Sequence, residues 1–506
     1  MRQGAWRALA LRARNLRPRA NGAMGAADAR LDERRARAAS TLLSVRAPVA
    51  GVPVRAACVR GEATLPLVPG RPAWISRRAG SRAARHTPPM ATVPTPAPID
   101  GAAPLSGGAL AYLVFTLTMS HSMAAMAMMT LPAVAPLVAS EYAVDASLVG
   151  YHISIVSLGL IISLVSVGNL SRRVGAARAA QIGHGLVAVG TVLTLLPWIG
   201  FLLPGALVIG IGFGLLAPAA SALLVRFTPP QRRNLMFSIQ QTSVPVGGML
   251  SALVGPAIAL HFGWRAAGLV ALVMLGVAVV LLQLGRRGWD DDRDPRQPVL
   301  AARLLDGLAD NWREPRLRLL SLTGLAFCWA QFCVATFTVV ACVVALDLSL
   351  VTAGLVMMTV QLTNAAGRMV AGWVADRIGS AVRVMSAVAW VMFGTSVVFL
   401  SLGPNWSLPM VFGLFIVLGI ASGAWAGILM ADVGHHAPPG RVAAVVSGTL
   451  LYVNIGKLIG PAVFALLYAL THDYGIAFAS LTGPALLAIA CLRQVERGRT
   501  RDTPRP

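Results

Sequence analysis

From Gly108 onward the chain is a succession of apolar runs of about 20 residues, each long enough to cross ~30 Å of hydrocarbon. Twelve can be marked off, at 109–138, 147–167, 179–198, 202–225, 234–259, 265–284, 319–345, 351–374, 384–402, 409–430, 442–470 and 474–492. In lipid every backbone N–H and C=O needs a partner within its own segment, so such runs span as helices. Composition agrees: 56% of residues are hydrophobic and 12% charged, where soluble domains are about a quarter charged. The fold class this predicts is an all-α membrane protein of twelve transmembrane helices.

The arginines orient it. Arg172, Arg173 and Arg178, then Arg226, Arg232 and Arg233, a cluster from Arg286 to Arg318, Arg377 with Arg383, and Arg441 fall in alternate loops. The opposite loops offer only Arg265. Lysine and arginine collect on the cytoplasmic side, so both termini are expected there, with the chain multi-pass in an inner membrane. The net charge of +23 is uneven, because residues 1–90 hold 18 Arg against 4 acids. That distribution does not read as nucleic-acid binding. Residues 1–107 contain no spanning run and are read as a basic tail of low order. It is either a transit or regulatory segment or the result of an upstream start, with Met90 as the expected first residue. The five cysteines lie in this tail or in apolar spans. They show neither metal-ligand nor disulfide spacing and read as packing residues, and no cofactor is expected.

The spans fall into two sets of six that repeat each other. Gly168-Asn-Leu170-Ser-Arg172-Arg173-Val-Gly175 lies 204 positions before Gly372-Trp-Val-Ala-Asp376-Arg377-Ile-Gly379. Pro229-Pro230 before Arg232 likewise recurs as Pro438-Pro439 before Arg441. The expected organisation is a basic tail (1–107), a first six-helix half (108–285), a cytoplasmic linker (286–317), a second half (318–493) and a cytoplasmic tail (494–506). Leu300, Leu304, Leu305 and Leu308 fall on one helical face of the linker, which predicts an amphipathic helix there. Internal duplication in a membrane protein places a cleft between the halves near the bilayer midplane.

The turn G-x-L-A-D-R-x-G resembles the loop between second and third helix in each half of the major facilitator superfamily of secondary transporters. Gly372 to Gly379 fits it; the first copy has Arg172 where the family has Asp. The resemblance implies a twelve-helix carrier working by alternating access, with Asp376 latching a cytoplasmic gate. Gly168, Arg172, Arg173, Gly175, Gly372, Arg377 and Gly379 belong to the same gating turns. A narrower resemblance joins Asn364-x-x-Gly367-Arg368 to the eighth helix of oxalate/formate antiporters and monocarboxylate carriers. It implies that Arg368 binds substrate carboxylate, with a lysine of the eleventh helix beside it.

No Asp or Glu lies inside the twelve runs. Lys457, the only lysine of the chain, sits about 15 residues into the eleventh, or ~22 Å at 1.5 Å per residue. A charged lysine at that depth costs ~3 kcal/mol or more unless it faces water or a partner. A polar cavity visited by an anion meets that need; snorkelling or a neutral amine are the alternatives. Asn454 and Ser447 are expected on its face. Gln361, Asn364 and Arg368 step by three and four, giving one polar stripe, and Arg368 can present a bidentate fork or cap carbonyls near the helix end. His121 in the first span is read as a proton or substrate contact, or as bonded to a neighbouring helix. Gln241, Gln331 and Trp425 are further cavity candidates, and the glycines of the fourth and fifth spans, with Pro218 and Pro245, provide close packing and bends.

The expected function is a secondary transporter moving a small organic anion, a carboxylate, as exchange or with protons. Alternatives are efflux of apolar or cationic compounds, and a non-transporting sensor or scaffold. No nucleophile–base arrangement suggests an enzyme. One chain can form the whole cleft, so a monomer is expected.

Overall fold

The computed structural model describes residues 105, 107–166, 170–229, 232–291, 293–296, 304–403, 405–438 and 441–502. Residues 1–104 of the basic tail, Gly168 and Leu300 lie outside them. Among the described residues every regular element is a helix. The first span is Gly107–Ala133 continued by Ala135–Tyr142, the second Val149–Ser166 and the third Ala176–Leu195. The fourth is Leu202–Gly214 with Leu216–Phe227, the fifth Arg233–Gln241 with Ser243–Phe262, and the sixth Trp264–Trp289. The seventh to ninth are Pro315–Val344, Leu350–Ile378 and Ala381–Val398. The tenth is Leu408–Gly423 with Ala426–His436, the eleventh Val442–Thr471, and the twelfth Tyr474–Ala479 with Thr482–Asp502.

Among the described residues, eleven helical segments are long and apolar enough to cross a membrane. The remaining one, the third span, carries Arg178, Gln181 and His184 and packs between the fourth and sixth. Gln181 there donates to the carbonyl of Val279 at 3.2 Å and to Gln283 at 2.9 Å, so its polar groups are met by the sixth span.

The breaks have a local cause. Proline has no N–H and its ring crowds the preceding turn, so a helix is interrupted three or four residues upstream. The fourth span breaks at Leu215, three before Pro218, and the fifth at Thr242, three before Pro245. The bends expected in the fourth and fifth spans are therefore present.

Each half is fastened at its ends. On the side away from the Arg-rich loops, Glu141 accepts from Arg265 Nη1 at 2.6 Å and from Trp264 Nε1 at 2.5 Å, joining the first and sixth spans. On the other side the linker helix Leu304–Arg313 docks against the second half. Its Asn311 is fully buried, with Nδ2 2.9 Å from Thr449 Oγ1 and 3.0 Å from the Val445 carbonyl. Asp310 pairs with Arg441 at 2.8 Å, and Arg316 with Asp432 at 3.6 Å. The linker is thus built into the second half as well as joining the two.

The halves approach closely on the side away from the Arg-rich loops. A Cβ on Gly150, at the start of the second span, would collide with the Pro461 carbonyl of the eleventh and the Phe337 ring of the seventh. One on Gly354 of the eighth would strike the Ala252 carbonyl of the fifth. Small residues let helix backbones meet where lipid gives no hydrophobic drive for association.

Candidate functional site

Lys457 lies halfway along the eleventh span and is buried, with 3% of its surface exposed. It neither snorkels nor faces lipid. Its Nζ is 4.2 Å from the centroid of the Phe332 ring and 5.7 Å from that of Phe213, and it meets the Met128 sulfur at 3.7 Å. Phe332 is on the seventh span, whereas Phe213 and Met128 belong to the first half, so the side chain crosses from one half to the other. Among the described residues no carboxylate pairs with it. A desolvated cation over a ring gains ~2 kcal/mol, and burying the ion costs several. The two rings reduce the deficit without closing it.

The polar stripe on the eighth span is present and faces inward. Gln361 and Asn364 are buried, and Gln361 lies against Gly248 of the fifth span. Asn364 Nδ2 donates to Ser422 Oγ at 3.0 Å and its Oδ1 accepts from Arg368 Nε at 3.2 Å. Arg368 Nη1 also reaches the Gln241 carbonyl at 3.4 Å. Both arginine contacts are long beside a usual N–H···O separation of ~2.9 Å, and guanidinium has further donors to offer. Cys328, on the seventh span, is buried.

His121 is buried in the first half with Nδ1 2.9 Å from Gln240 Nε2, so Gln240 donates and Nδ1 accepts. That arrangement makes Nε2 the protonated nitrogen, and Nε2 has no partner. The ring stands edge-on to Phe213 at 5.0 Å, the same phenyl that lies beside Lys457. His121 is therefore bonded to a neighbouring helix, and it retains one free donor beside Phe213. On the other wall Trp425 Nε1 donates to the Ser422 carbonyl at 2.8 Å and to Gln331 Oε1 at 3.2 Å, and its ring stacks on Phe327.

Two expected members stand apart. Asn454 spends its amide on the Leu450 carbonyl of its own helix at 2.8 Å. Gln241 offers Arg368 its backbone carbonyl while its side chain is exposed; the adjacent Gln240 faces the site. Phe213, Phe332, Met128 and Ser422 complete the surroundings and had no sequence signal beyond being apolar or small.

The two signature turns differ. In the second, Gly379 ends the eighth span at φ +67 with its N–H bonded to the Ala375 carbonyl at 2.9 Å, a left-handed position suited to glycine. Asp376 and Arg377 are exposed, Arg377 resting 5.7 Å from the Trp373 ring, and Gly372 faces open space. Among the described residues Asp376 has no hydrogen bond or ion pair. In the first turn Arg172 and Arg173 are exposed, and the Arg172 carbonyl accepts from the Asp294 N–H at 2.9 Å. Gly175 has φ +96, and a Cβ there would run into Asp290. Asp290, from the end of the sixth span, accepts from the N–H groups of Ala177 at 2.7 Å and Arg178 at 3.0 Å. A carboxylate from the end of the sixth span thus sits on the positive end of the third, beside the turn that has Arg172.

Two halves of spanning helices with buried polar groups gathered between them define a membrane transporter of small molecules, not an enzyme. Residues 116–461 match the Major Facilitator Superfamily, and the chain belongs to that family. Among curated relatives it is 30% identical over 162 residues to the multidrug efflux pump LfrA of Mycolicibacterium smegmatis, covering 32% of each chain. It is 30% identical over 152 residues to a gentisate transporter of Corynebacterium glutamicum, 28% of this chain and 33% of that one. These two matches span about a third of the relatives' lengths. A Bacillus subtilis protein named for niacin and nicotinamide transport matches more widely, at 24% identity over 67% of this chain and 84% of its own. Among solved structures, a bacterial homologue of the lysosomal transporter Spinster, inward-facing and occupied, aligns at TM-score 0.62 and 16% identity. The alignment covers 79% of this chain and 100% of that one. That likeness speaks to fold.

Proposed function

We propose that this transporter moves a small organic carboxylate across the inner membrane, holding it between Lys457 and Arg368. The observation that carries this reading is the burial of Lys457, whose charge among the described residues is met by two rings and a thioether and by no carboxylate. A visiting carboxylate removes the deficit. Arg368 contributes its free donors, Asn364 and Gln361 hold the arginine wall, and His121 Nε2 donates a further hydrogen bond. Phe213 and Phe332 favour a guest with a flat apolar body, since a ring can lie on them while its carboxylate reaches the ammonium. Of the compounds in the names of two relatives, gentisate and niacin are aromatic carboxylic acids and nicotinamide is a neutral amide. A cationic cargo of the kind an efflux pump carries would be repelled by Lys457 and Arg368.

In the cycle the halves rock about this site, and Lys457, fixed in one half, exchanges its contacts with Met128 and Phe213 for the guest. Both termini lie on the cytoplasmic side with the Arg-rich loops. Asp376 and Arg377 act in the gate there, Asp376 finding its partner in the alternate state; Asp290 performs the corresponding service in the first half. Exchange against a second anion fits an interior without carboxylates, and one chain suffices. The test is uptake of radiolabelled benzoate, gentisate and acetate into proteoliposomes, with wild type against Lys457→Ala. Equal transport by both would remove the anion site.

A further inference from the structure

Behind Arg368 lies a row of hydrogen bonds with a fixed direction. Ser422, 1% exposed in the last turn of Leu408–Gly423, donates its hydroxyl proton to the Gly419 carbonyl at 2.9 Å. A hydroxyl has one proton to give, so on the side facing Asn364 its Oγ can only accept. Asn364 Nδ2 donates to it there at 3.0 Å. With Nδ2 committed to Ser422, the amide oxygen points the other way and accepts from Arg368 Nε at 3.2 Å. The reversed amide would set Nδ2 against Nε, donor against donor, and Oδ1 against the Ser422 lone pairs. Asn364 is 2% exposed, so bulk water cannot cushion either conflict.

The backbones on both sides hold this row in place. A Cβ on Gly367 would strike the Ile420 backbone, and one on Gly423 the Asn364 backbone, so the eighth and tenth spans meet directly around it. Arg368 has a second tie, from Nη1 to the Gln241 carbonyl at 3.4 Å, but that acceptor belongs to the first half. The proposed rocking of the halves carries Gln241 away, whereas Asn364 and Ser422 travel with the arginine. With Nε occupied, the fork left open to a guest is the edge formed by Nη1 and Nη2.

We infer that Ser422 is a positioning residue of the carboxylate site. By dictating which way the Asn364 amide faces, it holds Arg368 at Nε and turns the Nη1–Nη2 edge toward the guest. This rests on the proposed binding of a carboxylate by Arg368, and Ser422 acts on that carboxylate only through Asn364.

Ser422→Ala deletes the hydroxyl and leaves the backbone carbonyl of that residue to its bond from Trp425 Nε1. Benzoate exchange in proteoliposomes is measured for wild type, Ser422→Ala, Asn364→Ala and the double variant, with thermal unfolding to show that each is folded. Each single change should raise the half-saturating benzoate concentration about tenfold with the maximal rate within roughly twofold of wild type. Because the two residues act in series, the double variant should be no more than about twofold worse than Asn364→Ala. A serine that only packs would lower the unfolding temperature, and its effect would multiply with that of Asn364→Ala. Ser422→Cys keeps the shape with a weaker acceptor, and should shift half-saturation in the same direction at an unchanged unfolding temperature. Wild-type half-saturation in both Ser422 variants, or a loss of roughly 100-fold in the double variant, overturns the assignment. Lys457→Ala separates the two levels. If it exchanges benzoate as wild type does, the carboxylate site itself fails; if it is impaired while Ser422→Ala is normal, only the positioning role fails.

Discussion

Replacing Lys457 by methionine separates its role in binding from its cost to the fold. Methionine keeps a long unbranched chain against Phe332, Phe213 and Met128 and deletes the charge. A carboxylate ~4 Å from the ammonium gains about 4 kcal/mol at an effective dielectric constant of ~20. Part of that is returned in stripping water from the guest, leaving ~2–3 kcal/mol. At 1.4 kcal/mol per tenfold, affinity for benzoate or gentisate should fall roughly 30- to 150-fold. Stability should move the opposite way, because a buried unpaired cation is being replaced by an apolar group, an exchange often worth ~1–4 kcal/mol in favour of the variant. The assay pairs uptake into proteoliposomes with thermal unfolding of the unliganded protein in detergent. Weaker uptake with an unfolding temperature a few degrees higher is expected. A variant that binds as well as wild type, or unfolds at a lower temperature, refutes the account of Lys457 as an unpaid charge awaiting an anion.

Arg368→Lys keeps the charge and loses the planar fork, so carboxylate affinity should drop ~10-fold while a point-charge anion such as chloride competes as before; equal loss for both would count against bidentate binding. Gly150→Leu should leave a folded bundle that binds substrate yet turns over at least tenfold more slowly, because its side chain would strike Pro461 and Phe337 where the halves meet; normal turnover would show that this approach is not needed. For Glu141, burial alone would raise the carboxyl, and hydrogen bonds from Arg265 and Trp264 with the Arg265 charge outweigh it and hold the group below its usual 4.5. The stability it adds is therefore complete above pH 4.5 and is lost as pH falls through the lower folded value. In a pair about 35–40% exposed that amounts to ~1 kcal/mol at most. Glu141→Gln should lower the unfolding temperature slightly at pH 7 and not at all well below pH 4; a constant difference across pH would contradict it.

The bundle was legible because bilayer thickness and backbone hydrogen bonding leave few choices, and because Arg residues mark alternate loops. The side-chain pattern on each span was harder to read. A helix apolar on every face has no polar face to fix its rotation, so Gln240 and Gln241 were equally eligible and only Gln240 meets His121. Asn454 lies three residues from Lys457, yet a carbonyl of its own helix was a nearer acceptor. Phe213 and Phe332 sit more than 100 positions apart and converge only through the packing of two halves. Asp290 could be seen as one of several linker acids, but its position on the third span's N-terminus depends on how the sixth span ends. By contrast the stripe Gln361, Asn364, Arg368 could be read directly, since polar residues at helical spacing specify their own face.

An interior with buried cations and no carboxylates also constrains the transport cycle. To pass through an occluded state unloaded, the carrier must enclose Lys457 and Arg368 without a counter-charge, and each desolvated ion costs several kcal/mol. Loaded with a carboxylate, it encloses a compensated group. If the barrier for the empty return exceeds that for the loaded one by only ~3 kcal/mol, loaded movement is faster by roughly 100-fold. A proton-coupled carrier with a membrane-embedded acid escapes this penalty by protonating that acid; here no Asp or Glu falls inside the twelve apolar runs of the sequence. Efflux of labelled benzoate from preloaded proteoliposomes should therefore accelerate at least tenfold when unlabelled benzoate is added outside. An imposed pH gradient in its place should give far less. Efflux that ignores external benzoate and follows the pH gradient would mean that the empty site sheds its charge by releasing a proton from the buried Lys457 ammonium, and would refute this account.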